Sequence, residues 1–420
     1  MTEPLEQTIR REGGRVLATL VRLVGNIDVA EDAVQDAVVD ALRRWPIDGV
    51  PSNPAAWLTT AARNRALDVL RREAKRTGKE SDARLLGEIT MSSTTLALGE
   101  ETSDSMVRDD LLRLVFTCCH PALAVEARLA LALRTLCGMS TSEIAAVFLV
   151  PESTMGQRIS RAKKKIESAH IPYRVPADYE LPDRLPAVLQ VVHAVITTGH
   201  HSPEGRLDAR ADLVDEGVRL AQLLQELMPD EPECTGLLVL AMVSRARRDA
   251  RADEFGRIVL LADQDRTRWN RDEIEHAATM LDHVVRLHRP GRYQIEAAIA
   301  CLHGIAPTFA DTDWPQIASL YATLELLVPT AVVRVNHAVA VAYAIDAVAG
   351  LALLDERDSI DMSAVENWHL YWSTRGELLN RMGELAPAVD AFDRALACAS
   401  NDSDREFLLQ RRDVVVSKRR

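Results

Sequence analysis

Residues 138–166 read GMSTSEIAAVFLVPESTMGQRISRAKKKI. Ser140 and Glu143 stand at the S-x-x-E spacing of a capping box, which predicts a helix starting at Thr141. Ile144, Ala145 and Phe148 give it an apolar face at helical spacing. Val150-Pro151 then ends it, because proline pushes the preceding residue out of the helical region. A second helix restarts near Glu152, with Met155, Ile159 and Ala162 on the side to be buried. Its other side carries Ser153, Thr154, Gln157, Arg158, Arg161 and the run Lys163-Lys164-Lys165. Two short helices, a tight turn and a basic outer face on the second make a helix-turn-helix of the kind that enters a DNA major groove. A charged stripe alone would be an ordinary solvated face. The capping box, the break, and Ala145 and Met155 inside the motif turn the reading toward DNA.

The chain has 420 residues, 47% of them apolar, 27% charged and only 4% aromatic. That length has room for two or three domains, and the abundant Ala, Leu and Arg lean toward an all-α fold. No run approaches the ~20 apolar residues of a membrane span, and the N-terminus lacks a signal-peptide pattern, so a cytoplasmic protein with no membrane partner is expected. The net charge is −12, yet residues 1–170 hold 23 basic and 23 acidic residues; the remaining 27 basic and 39 acidic residues carry the whole imbalance. A phosphate backbone would repel that acidic back half, which is therefore not expected to be a second DNA reader. Six cysteines include Cys118-Cys119 beside His120 but no C-x-x-C pair. Adjacent cysteines chelate one metal poorly, so buried thiols are expected and no cofactor or metal.

From the N-terminus, residues 5–24 read as a helix with Leu5, Ile9, Val16, Leu17, Leu20 and Leu23 available for one face, stopped by Gly25-Asn26. Asp28 is placed to cap the next helix, Val29–Trp45, whose apolar stripe is Ala30, Val34, Ala37, Val38, Ala41, Leu42 and Trp45. Glu31, Asp32, Gln35, Asp36 and Asp40 fall on its other side. Spacing alone serves equally a solvated acidic face or a docking surface for a basic partner. Pro46–Pro54 reads as a loop, and Ala55–Lys75 as a third helix with Trp57, Leu58, Ala61, Leu67 and Leu70 inward. Arg63, Arg65, Arg71, Arg72, Lys75 and Arg76 make its second half basic, and Asn64 among them suits hydrogen bonding to a base edge. Residues 77–106 lose the pattern and read as a linker. Helices resume at Val107–Thr117 and Val125–Leu136.

DVAEDAVQDAVVDALRRW (28–45), WLTTAARNRALDVLRRE (57–73), a linker, and STSEIAAVFLVPESTMGQRISRAKKKI (140–166) in this order resemble a bacterial RNA polymerase sigma factor of the extracytoplasmic-function type. The first two match its regions 2.1–2.4 and the last its region 4.2. One departure is Leu149, where the family commonly has a glycine.

Behind this, Ile171–Pro186 is a Pro-rich connector, followed by helix after helix. Trp372, Gly376, Gly383, Ala388, Phe392 and Ala395 have the spacing of a tetratricopeptide (TPR) repeat, in which Ala-x-x-x-Phe packs two antiparallel helices. LLADQDRTRW (260–269), RPGRYQIEAAIA (289–300) and DTDWPQIASLY (311–321) resemble the C-terminal extension of one subgroup of that family, whose extension is TPR-like and regulatory. An Asn-Glu-Gly-Tyr-like motif of the subgroup is replaced here by Thr198-Gly199-His200-His201. Polar residues including Asp263, Gln264, Asp265, Trp269, Tyr293, Gln294, Asp311, Asp313 and Trp314 read as helix caps and interhelix hydrogen bonds, or else as a groove for a peptide, protein or small signal. His193, His200 and His201 lack an acidic or cysteine partner at metal-ligand spacing.

The resemblance implies an all-α chain: region 2 over 1–76, a linker over 77–106, region 4 over 107–170, a connector over 171–184 and a TPR-like extension over 185–420. It implies no enzyme activity, and as partners the core RNA polymerase (β′ clamp and β flap), promoter DNA, and a possible protein or small-signal partner for the extension. Asp32, Gln35 and Asp36 are then the candidates for the core enzyme. Asp48, Asn53, Arg63, Asn64, Arg71 and Arg72 are the candidates for the −10 element, with Trp57 read as core. Ser153, Thr154, Gly156, Gln157, Arg158, Arg161 and Lys164 are the candidates for the −35 element. The different-class alternative is a helix-turn-helix regulator with a TPR-type interaction domain, acting without polymerase core.

Overall fold

Among the residues that the computed structural model describes (3–77, 104–148, 150–199, 211–254, 259–356, 360, 365–399 and 402–419), every regular element is a helix, and there is no strand. Most of the expected linker 77–106, Leu149, and His200-His201 lie outside the described residues, as do the side chains of Leu5, Ile9, Lys75 and Arg76. The chain divides into two units, Met1–Thr198 and Gly199–Arg420.

The first unit begins with α1 (Glu3–Val24), α2 (Ile27–Asp48) and α3 (Pro54–Thr77), which pack on one another through Leu17, Leu20, Ala30, Ala37, Ala41, Leu58 and Leu67. Asn26, not Asp28, caps α2: its side-chain oxygen accepts from the amides of Asp28 and Val29 at 2.8 and 3.1 Å. The helix also runs past Trp45 and through Pro46 to Asp48, where Gly49 (φ 86°) closes it. Proline so near a helix end forfeits a single backbone bond, and the amide of Gly49 still reaches the Trp45 carbonyl at 3.0 Å. The expected loop Pro46–Pro54 therefore shortens to residues 49–53.

Four helices follow: α4 (Asp104–Cys118), α5 (Val125–Thr135), α6 (Thr141–Val147) and α7 (Glu152–Ser168). The capping box forms in full at α6: Ser140 accepts from the Glu143 amide, and the Glu143 carboxylate accepts from the Ser140 amide. Met155, Ile159 and Ala162 are buried, as the spacing requires. α4 packs on α1, and α1 also comes close to the end of α5. A Cβ on Gly14 would collide with the Leu136 carbonyl oxygen, so the residue there has to lack one. Cys118, Cys119 and Cys137 are buried and form no disulfide, and burial pushes the first of these up to about 12.

The Pro-rich connector is anchored to this unit. The Tyr173 hydroxyl lies 2.8 Å from the Ala18 carbonyl oxygen of α1 and 2.9 Å from that of Asp110 in α4. Arg184 donates to the Phe116 carbonyl oxygen at 2.8 Å. The last helix of the unit, α8 (Leu181–Gly199), starts inside the expected connector, with Pro182 in its first turn, where no amide donor is needed, and Pro186 further along. The two compact units meet between Thr198 and Gly199, at the end of α8.

The second unit is a succession of helices: α9 (Ala211–Leu227), α10 (Pro232–Ala246), α11 (Arg271–Val285), α12 (Arg292–Ile305), α13 (Trp314–Leu327), α14 (Ala331–Ala344), α15 (Ala347–Asp355), α16 (His369–Arg381), α17 (Leu385–Cys398) and α18 (Asp402–Arg419). Most pack on their neighbours in sequence, as in an array of helical hairpins, and α10 also packs closely on α12, two helices further on. In the α16–α17 pair a Cβ on Gly376 would stand 3.0 Å from the Phe392 ring, and Ala388 and Ala395 are fully buried, the packing expected from the repeat spacing. The expected caps hold at Asp265 (to the Thr267 amide) and at Asp313 (to the Gln316 amide). No helix of the described residues is long and apolar enough to cross a membrane.

Candidate nucleic-acid interface

The second helix of the helix-turn-helix, α7, starts at Glu152 behind Pro151, and no side chain caps it. The amide groups of its first turn therefore point outward beside exposed Ser153 and half-buried Thr154, the arrangement that attracts a phosphate. Gln157, Arg161 and Lys164 are exposed along one face. Arg161 Nε donates back to the Gln157 carbonyl oxygen at 3.3 Å, which steadies the side chain without burying it. Arg158 is less free. Its guanidinium carbon lies 5.6 Å from the ring centre of Phe148, the residue that closes α6, so it also braces the turn. Gly156 faces Thr141 at ordinary contact distance and belongs to the packing between the two helices.

Lys163 departs from the expected basic face. It is largely buried and its ammonium contacts Asp28 at 2.7 Å and Glu31 at 3.1 Å, both on α2. Arg134 of α5 reaches the same Glu31 oxygen at 3.5 Å. Glu31, expected on the solvated side of α2, is thus 8% exposed between two cations. Burial pulls the Lys163 ammonium pKa down, but the two carboxylates outweigh it and the net shift is upward.

Asp32, Gln35 and Asp36 keep to the exposed flank of α2. Gln35 borders an open groove of about 540 Å³ whose walls include Leu17, Val34, Val38, Leu42 and Arg134. Val38 and Leu42, expected in the apolar stripe, are instead half-buried and exposed along it, because the stripe is wider than α1 and α3 can cover.

The residues expected at a melted strand divide. Asp48, Asn53, Asn64, Arg71 and Arg72 are exposed. The Asn53 side-chain oxygen Oδ1 already accepts from the Ala56 amide at 3.0 Å, and so helps start α3. Arg71 is 3.6 Å from Asp68, and Arg65 pairs with Asp40 at 3.0 Å. Arg63 corrects the expectation. It is 9% exposed, its Nε has no hydrogen-bond partner, and burial lowers its pKa. At helical spacing it falls on the face of Ala62, Ala66 and Leu70, not on that of Asn64 and Arg71. Trp57 is half-buried edge-on to Trp45, 5.4 Å between ring centres, in keeping with a core role. Among the described residues no cluster of His, Cys, Asp and Glu is arranged to hold a metal.

Sequence reasoning missed the Lys163–Glu31–Arg134 network and the anchoring of Tyr173. The partners are separated by 132 and 155 residues in the first and third of these contacts, so no local spacing announces them. The one available sign was Glu31 lying next to Ala30 on the apolar side of α2.

Residues 8–76 match sigma-70 region 2 and residues 113–166 match sigma-70 region 4. Residues 184–285 match a family of unknown function, DUF6596. The chain is 40% identical over 404 residues to an uncharacterised protein of Rhizobium meliloti (strain 1021), across 96% of this chain and 94% of that one. It is 25% identical over 265 residues to a probable ECF RNA polymerase sigma factor, SigI, of Mycobacterium tuberculosis, across 58% of this chain and 86% of the relative. It is 30% identical over 156 residues to the ECF RNA polymerase sigma-E factor of Escherichia coli (strain K12), across 37% of this chain and 80% of the relative. No solved structure matches the chain.

Proposed function

This chain belongs to the extracytoplasmic-function (ECF) group of the sigma-70 family, with a DUF6596 domain behind region 4, and from that premise we propose how its parts divide the work. Regions 2 and 4 give it a sigma factor role, with core RNA polymerase and promoter DNA as partners. The match to region 2 favours this over a plain helix-turn-helix regulator. Asp32, Gln35 and Asp36 meet the core enzyme, their exposure on α2 being what a docking face needs. Asp48, Asn53, Asn64, Arg71 and Arg72 take the −10 element, with Arg63 holding the helix that presents them. Ser153 and Thr154 seat a phosphate of the −35 element, Gln157 and Arg161 read base edges, and Lys164 adds backbone attraction.

The observation that carries the reading of control is the Lys163–Glu31 contact at 3.1 Å. The −10 and −35 elements lie roughly 25 base pairs apart, about 85 Å at ~3.4 Å per step. Regions 2 and 4 cannot hold that contact while each reads its own element. The arrangement is therefore a closed resting state that opens on the polymerase. The extension governs the opening, because the chain runs toward it through a connector anchored on both α1 and α4.

The test is binding to core polymerase. Replacing Asp32, Gln35 and Asp36 together with alanine lowers affinity for core enzyme at least tenfold, whereas Gln157→Ala leaves it unchanged. Equal affinity for both variants would move the docking face elsewhere.

A further inference from the structure

The second unit contains a cluster of half-buried arginines, Arg247, Arg266 and Arg271, that form no salt bridge among the described residues. Trp269, 4% exposed, is ringed by three guanidinium groups: the central carbons of Arg266, Arg247 and Arg271 lie 4.5, 4.9 and 5.6 Å from its ring centre. The polar contacts these arginines make are all to neutral groups. Arg266 donates to the carbonyl oxygens of His303 and Ala306, Arg271 to that of Gly304, and Arg247 to the side-chain oxygen of Gln264 at 3.5 Å. Nearby arginines fare differently: Arg245 pairs with Glu273 and Arg248 with Asp215.

Polar atoms are left over in the same place. Arg247 Nε, Arg266 Nη2, Trp269 Nε1 and His303 Nδ1 are all shielded from water without a hydrogen-bond partner. Burial, then the charges of Arg251 and Arg266, push Arg247 down to about 9. Burial, then the charges of Arg247 and Arg266, push His303 down to about 4, so it stays neutral. Asp311 is the acidic group felt by Arg266, and its carboxylate already accepts from Thr308 at 2.7 Å. A fork of guanidinium donors over an indole, with unspent N–H groups, costs free energy until an anion completes it.

We propose that Arg247, Arg266 and Arg271 around Trp269 form a binding site for an oxyanion, a phosphate or carboxylate group of a ligand. Guanidinium groups bind both with paired, charge-assisted hydrogen bonds, which distinguishes them from a diffuse basic surface. All three are only half-buried, so the ligand has a way in. The site deepens the earlier alternative for LLADQDRTRW and DTDWPQIASLY: the caps are at Asp265 and Asp313, while Gln264 and Trp269 belong to the anion site. It stands or falls by binding, whether or not the extension controls transcription.

The experiment titrates the full-length protein with inorganic phosphate and, separately, with acetate, by calorimetry and tryptophan fluorescence, against chloride at matched ionic strength. A saturable response to phosphate or acetate but not to chloride is expected, and the anion that responds identifies the ligand group. Arg247→Gln weakens the response at least tenfold, and Trp269→Phe removes most of the fluorescence change. If circular dichroism shows that Arg247→Gln fails to fold, Arg271→Lys takes its place, keeping the charge and losing the fork. Wild-type protein without a saturable response to either oxyanion would overturn the proposal. So would an undiminished response in a folded variant.

Discussion

The Lys163 ammonium, on the recognition helix of region 4, lies 3.1 Å from the Glu31 carboxylate, on the region 2 helix 132 residues earlier. Their side chains are 12% and 10% exposed, so the pair is shielded from screening by salt. Lys163→Gln leaves Glu31 buried with Arg134 alone, and is expected to destabilise the closed unit by about 1–3 kcal/mol. A double-mutant cycle with Glu31→Gln by thermal unfolding measures the coupling, and additive effects would show the pair to be idle. The folded pKa of Lys163 is raised, so its contribution is complete below the unfolded value of about 10.4 and is lost only as pH rises through the higher folded value. The contact is therefore expected to hold across neutral pH.

Region 4 is expected to separate base readers from backbone contacts. Gln157→Ala or Arg161→Ala relaxes the choice at particular base pairs of the −35 element, costing about 1–3 kcal/mol each. Lys164→Ala weakens all sequences alike and lowers the salt slope by about 1. Binding measured on single-base variants at several salt concentrations checks both, and a base-specific loss from Lys164→Ala would reverse its role.

Tyr173 holds the connector. Tyr173→Phe keeps the ring and deletes the hydroxyl shared by the Ala18 and Asp110 carbonyl oxygens, at an expected cost of about 1–2 kcal/mol. Limited proteolysis between residues 170 and 184 should accelerate, and an unchanged cleavage rate would show that the hydroxyl does not fasten the segment.

In the second unit Glu325 sits between Arg334 and His337, with Arg334 3% exposed. Burial raises the Glu325 pKa, but hydrogen bonds from Arg334 and His337 outweigh it and the net value is lowered. Its stabilisation is thus present above the unfolded value of about 4.3 and is lost as pH falls through the lower folded value. Glu325→Gln should lower stability at neutral pH by about 2–4 kcal/mol and flatten the acid limb of the stability profile below that point. Parallel profiles for wild type and variant would refute the assignment.

Much of this was legible locally. Ser140, Glu143 and Pro151 dictate α6 and the start of α7, because a capping box and a proline act over one helical turn. Gly376 and Phe392 announce their packing by fixed spacing. The errors came where long-range context decides. Asp28 looked like a cap, but Asn26 stood two residues earlier with the same chemistry, and Pro46 looked like a stop although a proline near a helix end is inexpensive. Arg63 and Lys163 looked solvated because they lie in basic runs, yet the burial of one and the distant carboxylates of the other are set by tertiary packing. LLADQDRTRW contains Arg266 and Trp269, but nothing in it shows that Arg247 and Arg271 converge on the indole.

The most direct test of control by the extension is run-off transcription with purified core RNA polymerase, comparing the full-length protein with a chain ending at Thr198, where the first unit closes. The account predicts transcripts that require the added protein, and an output that changes several-fold when the extension is removed: upward if it keeps regions 2 and 4 closed, downward if it helps them open. Equal output from the two chains would contradict control by the extension, and no transcript from either would contradict the sigma factor mechanism built on these residues.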